Sequence, residues 1–145
     1  MSLLFFWKGT NYYRDMNIFG KSYELNQNNE LMNRVGRGEH IWAFTRRKDK
    51  TYVLALDLSV IGKSRNTPQA QGYKYGVYHV EGDRRKSRYF NTAKGADVEP
   101  IIRSLSVTIN AKTLGHSFQG ERAVKQLTAS DDVMLMNFAS NLMTI

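Results

Sequence analysis

The segment from His40 to Gly62, HIWAFTRRKDKTYVLALDLSVIG, constrains this chain more than any other. In HIWAFT, His40, Trp42 and Phe44 fall on one face and Ile41, Ala43 and Thr45 on the other. In TYVLALDLSVIG, Tyr52, Leu54, Leu56, Leu58 and Val60 share a face opposite Val53, Ala55, Asp57 and Ser59. A period of two in two runs joined by the polar turn RRKDK predicts an antiparallel hairpin over 40–61. Such a ribbon is too apolar to stand alone, so the rest of the chain must cover it.

The remaining signals are shorter. LLFFWK reads as an aromatic strand over Leu3–Lys8, stopped by Gly9-Thr10-Asn11, with mostly polar loop from Asn11 to Asn29. Asn28 or Asn29 is placed to cap a short helix running through Arg34 and ending near Gly36. Residues 64–72 read as an exposed loop. YKYGVYHV is a further strand closed by Glu81-Gly82-Asp83, with SRYF returning beside it. DVEPIIRSL suggests a short helix with Pro100 in its first turn, where proline is tolerated. LSVTI suggests one more strand. Thr128 followed by Asp131 is a capping arrangement, and Leu135, Phe138, Ala139 and Leu142 make one apolar helical stripe. The sum is five or six strands and two or three helices in a single α+β domain, 1–145. The expected architecture is a small, curved, mostly antiparallel β-barrel with peripheral short helices and a C-terminal helix.

Several chemistries are excluded by residue type. There is no cysteine, so neither disulfides nor Cys-ligated zinc can form, and a reducing, cytoplasmic home is expected. No apolar run approaches a membrane span, and the first residues do not pattern as a secretory leader. His40, His79 and His116 lack metal-ligand spacing, so no metal is expected, and His40 and His79 read as ordinary strand residues. No GxSxG elbow or phosphate loop is present, and Gly36-Arg37-Gly38 lacks the third glycine and the lysine. No Asp/Glu-x-Lys triplet is found, which argues against a metal-dependent nuclease core in these residues. No cofactor is expected.

What remains is charge and rings. The chain carries 21 Lys and Arg against 13 Asp and Glu, a net charge of +8. A polyanionic partner, nucleic acid ahead of membrane, is the first implication. The charge clusters at two turns: Arg46, Arg47, Lys48 and Lys50 at one, and Arg84, Arg85, Lys86 and Arg88 at the other. Two such turns could grip two stretches of phosphate backbone. Of the 7 Phe, 8 Tyr and 2 Trp, Phe5, Phe44 and Phe138 read as core. Trp7, Tyr12 and Trp42 lie at strand ends or beside polar loops, where a ring can stack on an unpaired base.

The order of these segments resembles the EVE-type domains of the PUA-like superfamily. FFWKGTNYYRD matches their opening aromatic strand and Tyr-containing loop. MNRVGRGEHIWAFT matches the short helix and strand, with Gly38-Glu39 standing where Gly-Asp is usual. TYVLALDLSVIGKS, YGVYHVEGD and VEPIIRSL follow in the same order. FFWKGTNYYRD, LNQNN, RSLS and LGHSFQG also resemble the DNA-reading portion of HNH-type, modification-dependent restriction endonucleases. The resemblance implies a PUA-like barrel that accepts a flipped base, a modified cytosine in DNA, in an aromatic pocket. The residues it assigns to the pocket are Trp7, Thr10, Asn11, Tyr12, Trp42 and Ser104. Arg46, Arg47, Lys48, Arg84, Arg85, Lys86 and Arg88 would hold phosphates. A fused or partner HNH nuclease domain would supply cutting. Three alternatives stay open: an RNA-binding PUA-like module, a small ASCH-like hydrolase of modified nucleosides that pairs Lys8 with Asp57 or Glu39, and a purely structural partner-binding domain on which the basic turns are decoration.

Overall fold

The computed structural model describes all residues from Met1 to Ile145. In chain order the elements are β1 (Leu3–Phe6), α1 (Gly9–Phe19), β2 (Glu24–Gln27), β3 (His40–Arg46), β4 (Tyr52–Arg65), β5 (Tyr78–Gly82), β6 (Arg88–Tyr89), α2 (Glu99–Ser104), α3 (Leu114–Ser117), β7 (Val124–Gln126) and α4 (Ala129–Ala139). The expected hairpin is β3–β4, and it is the middle of one sheet ordered β2-β5-β4-β3-β1-β7, with β6 also paired to β4. All pairings are antiparallel except β1 with β3. The fold class is α+β, as the sequence predicts, with the sheet curled into a half-barrel.

The curl comes from β4, which is bulged twice. Ala43 pairs with Leu56 but Phe44 pairs with Leu54, so Ala55 is an extra residue. Its carbonyl accepts from the Phe90 amide, so the bulge leaves that group satisfied. The bulge inverts the side-chain parity of the strand. Tyr52 and Leu54 face one side, while Leu56, Leu58 and Val60 face the other. The expectation that these five share one face is therefore corrected. A second irregularity at Ile61, between the Val60–Gly82 and Gly62–Glu81 pairs, turns the strand's end away to pair with β5.

Two apolar layers result, one on each face. The concave face holds Leu3, Phe5, Ile41, Ala43, Leu56, Leu58, Val60, Tyr78, Val80 and Val124. The 3-10 turn Glu30–Asn33 closes over it with Met32 and Val35, and Asn29 caps that turn as expected. The convex face holds Leu4, Trp42, Phe44, Tyr52, Leu54 and Phe90 under α2, α3 and α4. Each fully buried large apolar side chain here contributes about 1.5–3 kcal/mol relative to exposure. On α4, Thr128 and Asp131 form a reciprocal capping box, and Leu135 and Ala139 are buried with Phe138 and Leu142 packed alongside. Burial pushes the Asp131 carboxyl up, but bonds from Ser106 and Thr128 outweigh it and hold it below the usual range.

Four local readings are corrected. Residues 9–19 are helix rather than strand stop and loop, because Tyr12 is buried and Trp7 and Met16 pack on the concave core. Glu24–Gln27 is a strand although it is polar, because β5 supplies its pairing. Arg88–Tyr89 returns to β4 rather than to β5. LSVTI is a series of turns in which the Thr108 hydroxyl donates to the Ile102 carbonyl.

The β1–α1 junction is tight. A Cβ at Gly9 would lie 2.7 Å from the Arg46 carbonyl oxygen. Gly9→Ala therefore forces α1 away from β3 and is expected to cost about 1–3 kcal/mol. Thermal unfolding of the variant reads this out, and an unchanged midpoint would contradict the packing described.

Candidate nucleic-acid interface

The ring-rich segment Leu3–Met16 divides its rings by strand parity. Leu4 pairs with Trp42 and Phe6 with Phe44, so these four point to the convex side. Phe5 and Trp7 point to the concave side. Trp7 and Trp42 thus lie on opposite faces of the sheet and cannot wall one slot. Trp42 is fully buried, and its indole N–H donates to Asp132 at 2.8 Å. Tyr12 is also buried: its ring meets Trp7 edge-on at 5.0 Å and its hydroxyl lies 3.3 Å from that of Thr92. Desolvation raises its pKa. Trp7 is half-buried and donates to Asp15. Thr10 and Asn11 are exposed on the first turn of α1. Ser104 is exposed at the end of α2, its hydroxyl donating to the Pro100 carbonyl. The expected base pocket is not assembled from these six residues.

The basic turns do form, at opposite ends of the β3–β4 hairpin. The 47–51 turn follows the Arg46–Tyr52 pair, and the 83–87 turn is bonded to Ser59 beside the His40–Ser59 pair. Six residue steps along β3 separate the two ends, roughly 20 Å. The seven expected phosphate ligands do not have equal freedom. Arg47 donates to the carbonyls of Thr92, Ala93 and Gly95 at 3.0–3.2 Å and stitches that loop to the turn. Arg88 is bound to buried Asp57. Arg46 lies over the Tyr52 ring and its Nε donates to the Lys50 carbonyl at 3.3 Å, and Lys48 lies over Tyr13; both cations are exposed. Arg84, Arg85 and Lys86 are exposed on a turn shaped by Asp83, whose carboxylate accepts from the Arg85 and Lys86 amides. Those amide bonds hold the Asp83 carboxyl below its ordinary range.

A groove that the sequence did not reveal lies beside this second turn. It encloses about 840 Å³ between the end of α1, the start of β2 and the β5–β6 turn. Phe19, Tyr23 and Ile61 supply its apolar wall, and Lys21, Arg84 and Arg85 its cations. The Arg84 guanidinium lies over the Tyr23 ring at 5.2 Å. Phe19 is 59% exposed, so this ring is free to meet a ligand. Glu24, Glu81 and Asp83 also border the groove. Tyr23 packs edge-on against Tyr89, whose hydroxyl donates to the Ser22 carbonyl; burial pushes that phenol up to about 12. The signal missed in the sequence was the pair Phe19 and Tyr23, hidden in what looked like loop. A second hollow of about 740 Å³ opens at the seam of the half-barrel, where Asn29 donates to the Glu121 carbonyl.

The hydrolase alternative requires Lys8 against Asp57 or Glu39. Lys8 is exposed at the start of α1. Glu39 holds the Gly36 amide and the N-terminal ammonium. Asp57 is 1% exposed and bridges His40 (2.5 Å) and Arg88 (2.7 Å). The lysine–carboxylate pair is not formed. No protein-family model matches the chain, and no curated protein matches it.

The Asp57 bridge makes a pH prediction. Its hydrogen bond raises the His40 pKa above the ordinary 6.5, partly offset by burial. The charged imidazole is therefore favoured in the fold. This stabilisation is complete below pH 6.5 and is lost as pH rises through the raised value. The melting temperature should fall as pH is raised from 5.5 to 8.5, and the fall should be smaller in His40→Gln. Parallel curves for the two proteins would contradict the assignment.

Proposed function

We propose that this chain is a nucleic-acid-binding module that uses the Tyr23–Arg84 groove. The observation that carries the proposal is the juxtaposition of exposed Phe19, half-buried Tyr23 and the exposed arginines Arg84 and Arg85 in one concave surface, on a chain with net charge +8. Phe19 offers an open stacking face to an unpaired base, worth about 1–3 kcal/mol, and the Arg84 guanidinium resting on Tyr23 extends that stacking surface. Arg84 and Arg85 offer charge to the flanking phosphates, while Lys21 donates to the Ile145 carbonyl at 2.8 Å and is held to the chain's end. Arg46 and Lys48, at the far end of the hairpin, can reach a second stretch of backbone and set its direction across the sheet. Arg47 and Arg88 are left out of this contact set because their guanidinium groups are already engaged within the fold.

The resemblance to modification-dependent DNA readers makes DNA the first partner to test, ahead of RNA. A flipped, modified cytosine in this reading enters beside Tyr23 rather than between the two tryptophans. Unstacking costs a few kcal/mol, which one or two ring contacts offset.

The test is a titration at fixed salt of duplexes carrying plain, methylated or hydroxymethylated cytosine, with the matched RNA as a fourth ligand. Tyr23→Ala should weaken binding about tenfold and reduce any preference among the three duplexes. Arg85→Ala should weaken all of them alike and lower the slope of log K against log salt by about 1. Affinity unchanged in both variants would sink the proposal. Tighter binding of the RNA would reassign the module to RNA.

A further inference from the structure

The outer face of the β2–β5 ribbon brings two carboxylates and one imidazole together. Glu24 and Glu81 are direct cross-strand partners, and so are Asn26 and His79. Residues two apart on a strand share a face, so all four side chains project together. Two carboxylates placed directly opposite each other destabilise an antiparallel pair unless something positive lies between them. The His79 Nε2 atom is 3.9 Å from the Glu24 carboxylate and 3.6 Å from that of Glu81. The donor atoms of the three side chains all lie within 4.8 Å of one another.

The imidazole is oriented from behind. Asn66 Nδ2 donates to Asn26 Oδ1, which identifies the Asn26 atom facing His79 as the oxygen. The His79 Nδ1–H therefore donates to Asn26 Oδ1, at 2.8 Å. With Nδ1 committed, Nε2 is the atom presented to the two glutamates. A ligating histidine is held in this way, its far nitrogen donating to an oxygen that fixes both tautomer and ring plane. Asn26 is itself hemmed in by the 66–76 loop: a Cβ on Gly72 would lie 2.6 Å from its Oδ1. On the neighbouring strand Gly62 leaves open space on the same face, with no atom within 4 Å of where its Cβ would be.

We propose that Glu24, His79 and Glu81 form a divalent-cation site of the zinc class, with one imidazole nitrogen and two carboxylate oxygens as protein ligands. Ligands about 2.1 Å from one ion at the tetrahedral angle lie roughly 3.4 Å apart. The separations of 3.6 and 3.9 Å from the imidazole, with all three donors within 4.8 Å of one another, reach that geometry by about 1 Å of side-chain rotation, which exposed Glu24 and Glu81 are free to make. Nitrogen in the set favours zinc, manganese or nickel over calcium and magnesium, which take all-oxygen shells. Three protein ligands leave a coordination position open. Glu24 and Glu81 also border the Tyr23–Arg84 groove, so that position lies at the groove's rim. The bound ion offsets the two carboxylates there and shifts the groove's charge toward the cationic wall. This site departs from the expectation that the three histidines hold no metal. It was invisible in the sequence because its ligands come from two strands some 55 residues apart, one of them read as loop.

The cation is titrated alone, so the outcome is independent of nucleic-acid binding. Zinc and manganese chlorides are titrated calorimetrically into the purified full chain near pH 7.5, and the melting temperature is followed in parallel. The expected result is one saturable equivalent, a raised melting temperature, and at least tenfold weaker binding in Glu81→Gln and in Glu24→Gln. On zinc addition, the His79 Nε2 nitrogen resonance should shift while Nδ1 keeps its proton. No saturable binding by the wild-type chain below about 1 mM, or equal affinity in the wild type and a Glu24→Gln/Glu81→Gln double variant, would overturn the proposal.

Discussion

One extra residue, Ala55, governs how this molecule is built. Without it β4 would present Tyr52, Leu54, Leu56, Leu58 and Val60 to one side only, and the apolar residues that β1 and β3 place on the other face would lack their partners on the central strand. With it the first part of the strand packs under the helices and the second part lines the concave core. Both faces of a 145-residue chain are thereby buried, and both layers share the same central strand. The second shift at Ile61 delivers the end of β4 to β5, which carries β2 at the sheet's edge. Groove and cation site both lie on that edge, so their positions descend from the two irregularities.

Charge is partitioned between structure and surface. Arg47 and Arg88 are spent internally, one holding the 92–95 carbonyls and the other neutralising buried Asp57. A buried carboxylate left without such partners would cost several kcal/mol, so the row Trp42–Asp57–Arg88 across three strands is a structural device. Trp42 carries it on to Asp132 and so clips α4 to the sheet. The remaining cations at the 83–87 turn have no such duty. They stand beside exposed Phe19 and beside Tyr23, which packs on the edge of the concave core.

The parts of the fold that were legible from sequence were those with strong periodicity or a specific cap. The β3–β4 hairpin, the capping box at Thr128, the stripe on α4 and the Asn29 cap all announce themselves locally. Helix α1 did not, because GTNYYRDMNIF opens with residues that favour turns and buries only Tyr12. Strand β2 did not, because its support comes from β5, over 50 residues later. The two tryptophans looked alike in sequence, and only the parallel register of Leu4 on Trp42 shows that they face opposite ways. The basic turns were legible as charge, but whether each arginine is free depended on carbonyls and carboxylates distant in the chain. The groove's rings, Phe19 and Tyr23, were hidden by the same misreading that hid α1 and β2.

Strand β4 fuses the two apolar layers into one cooperative unit. Native-state amide hydrogen exchange tests it directly, by comparing Leu54 on the convex side of the bulge with Leu58 on the concave side. Both amides should exchange only through global opening, with the same free energy and the same dependence on denaturant. Exchange at one of them through a smaller, separate opening would show two independent layers and contradict the account.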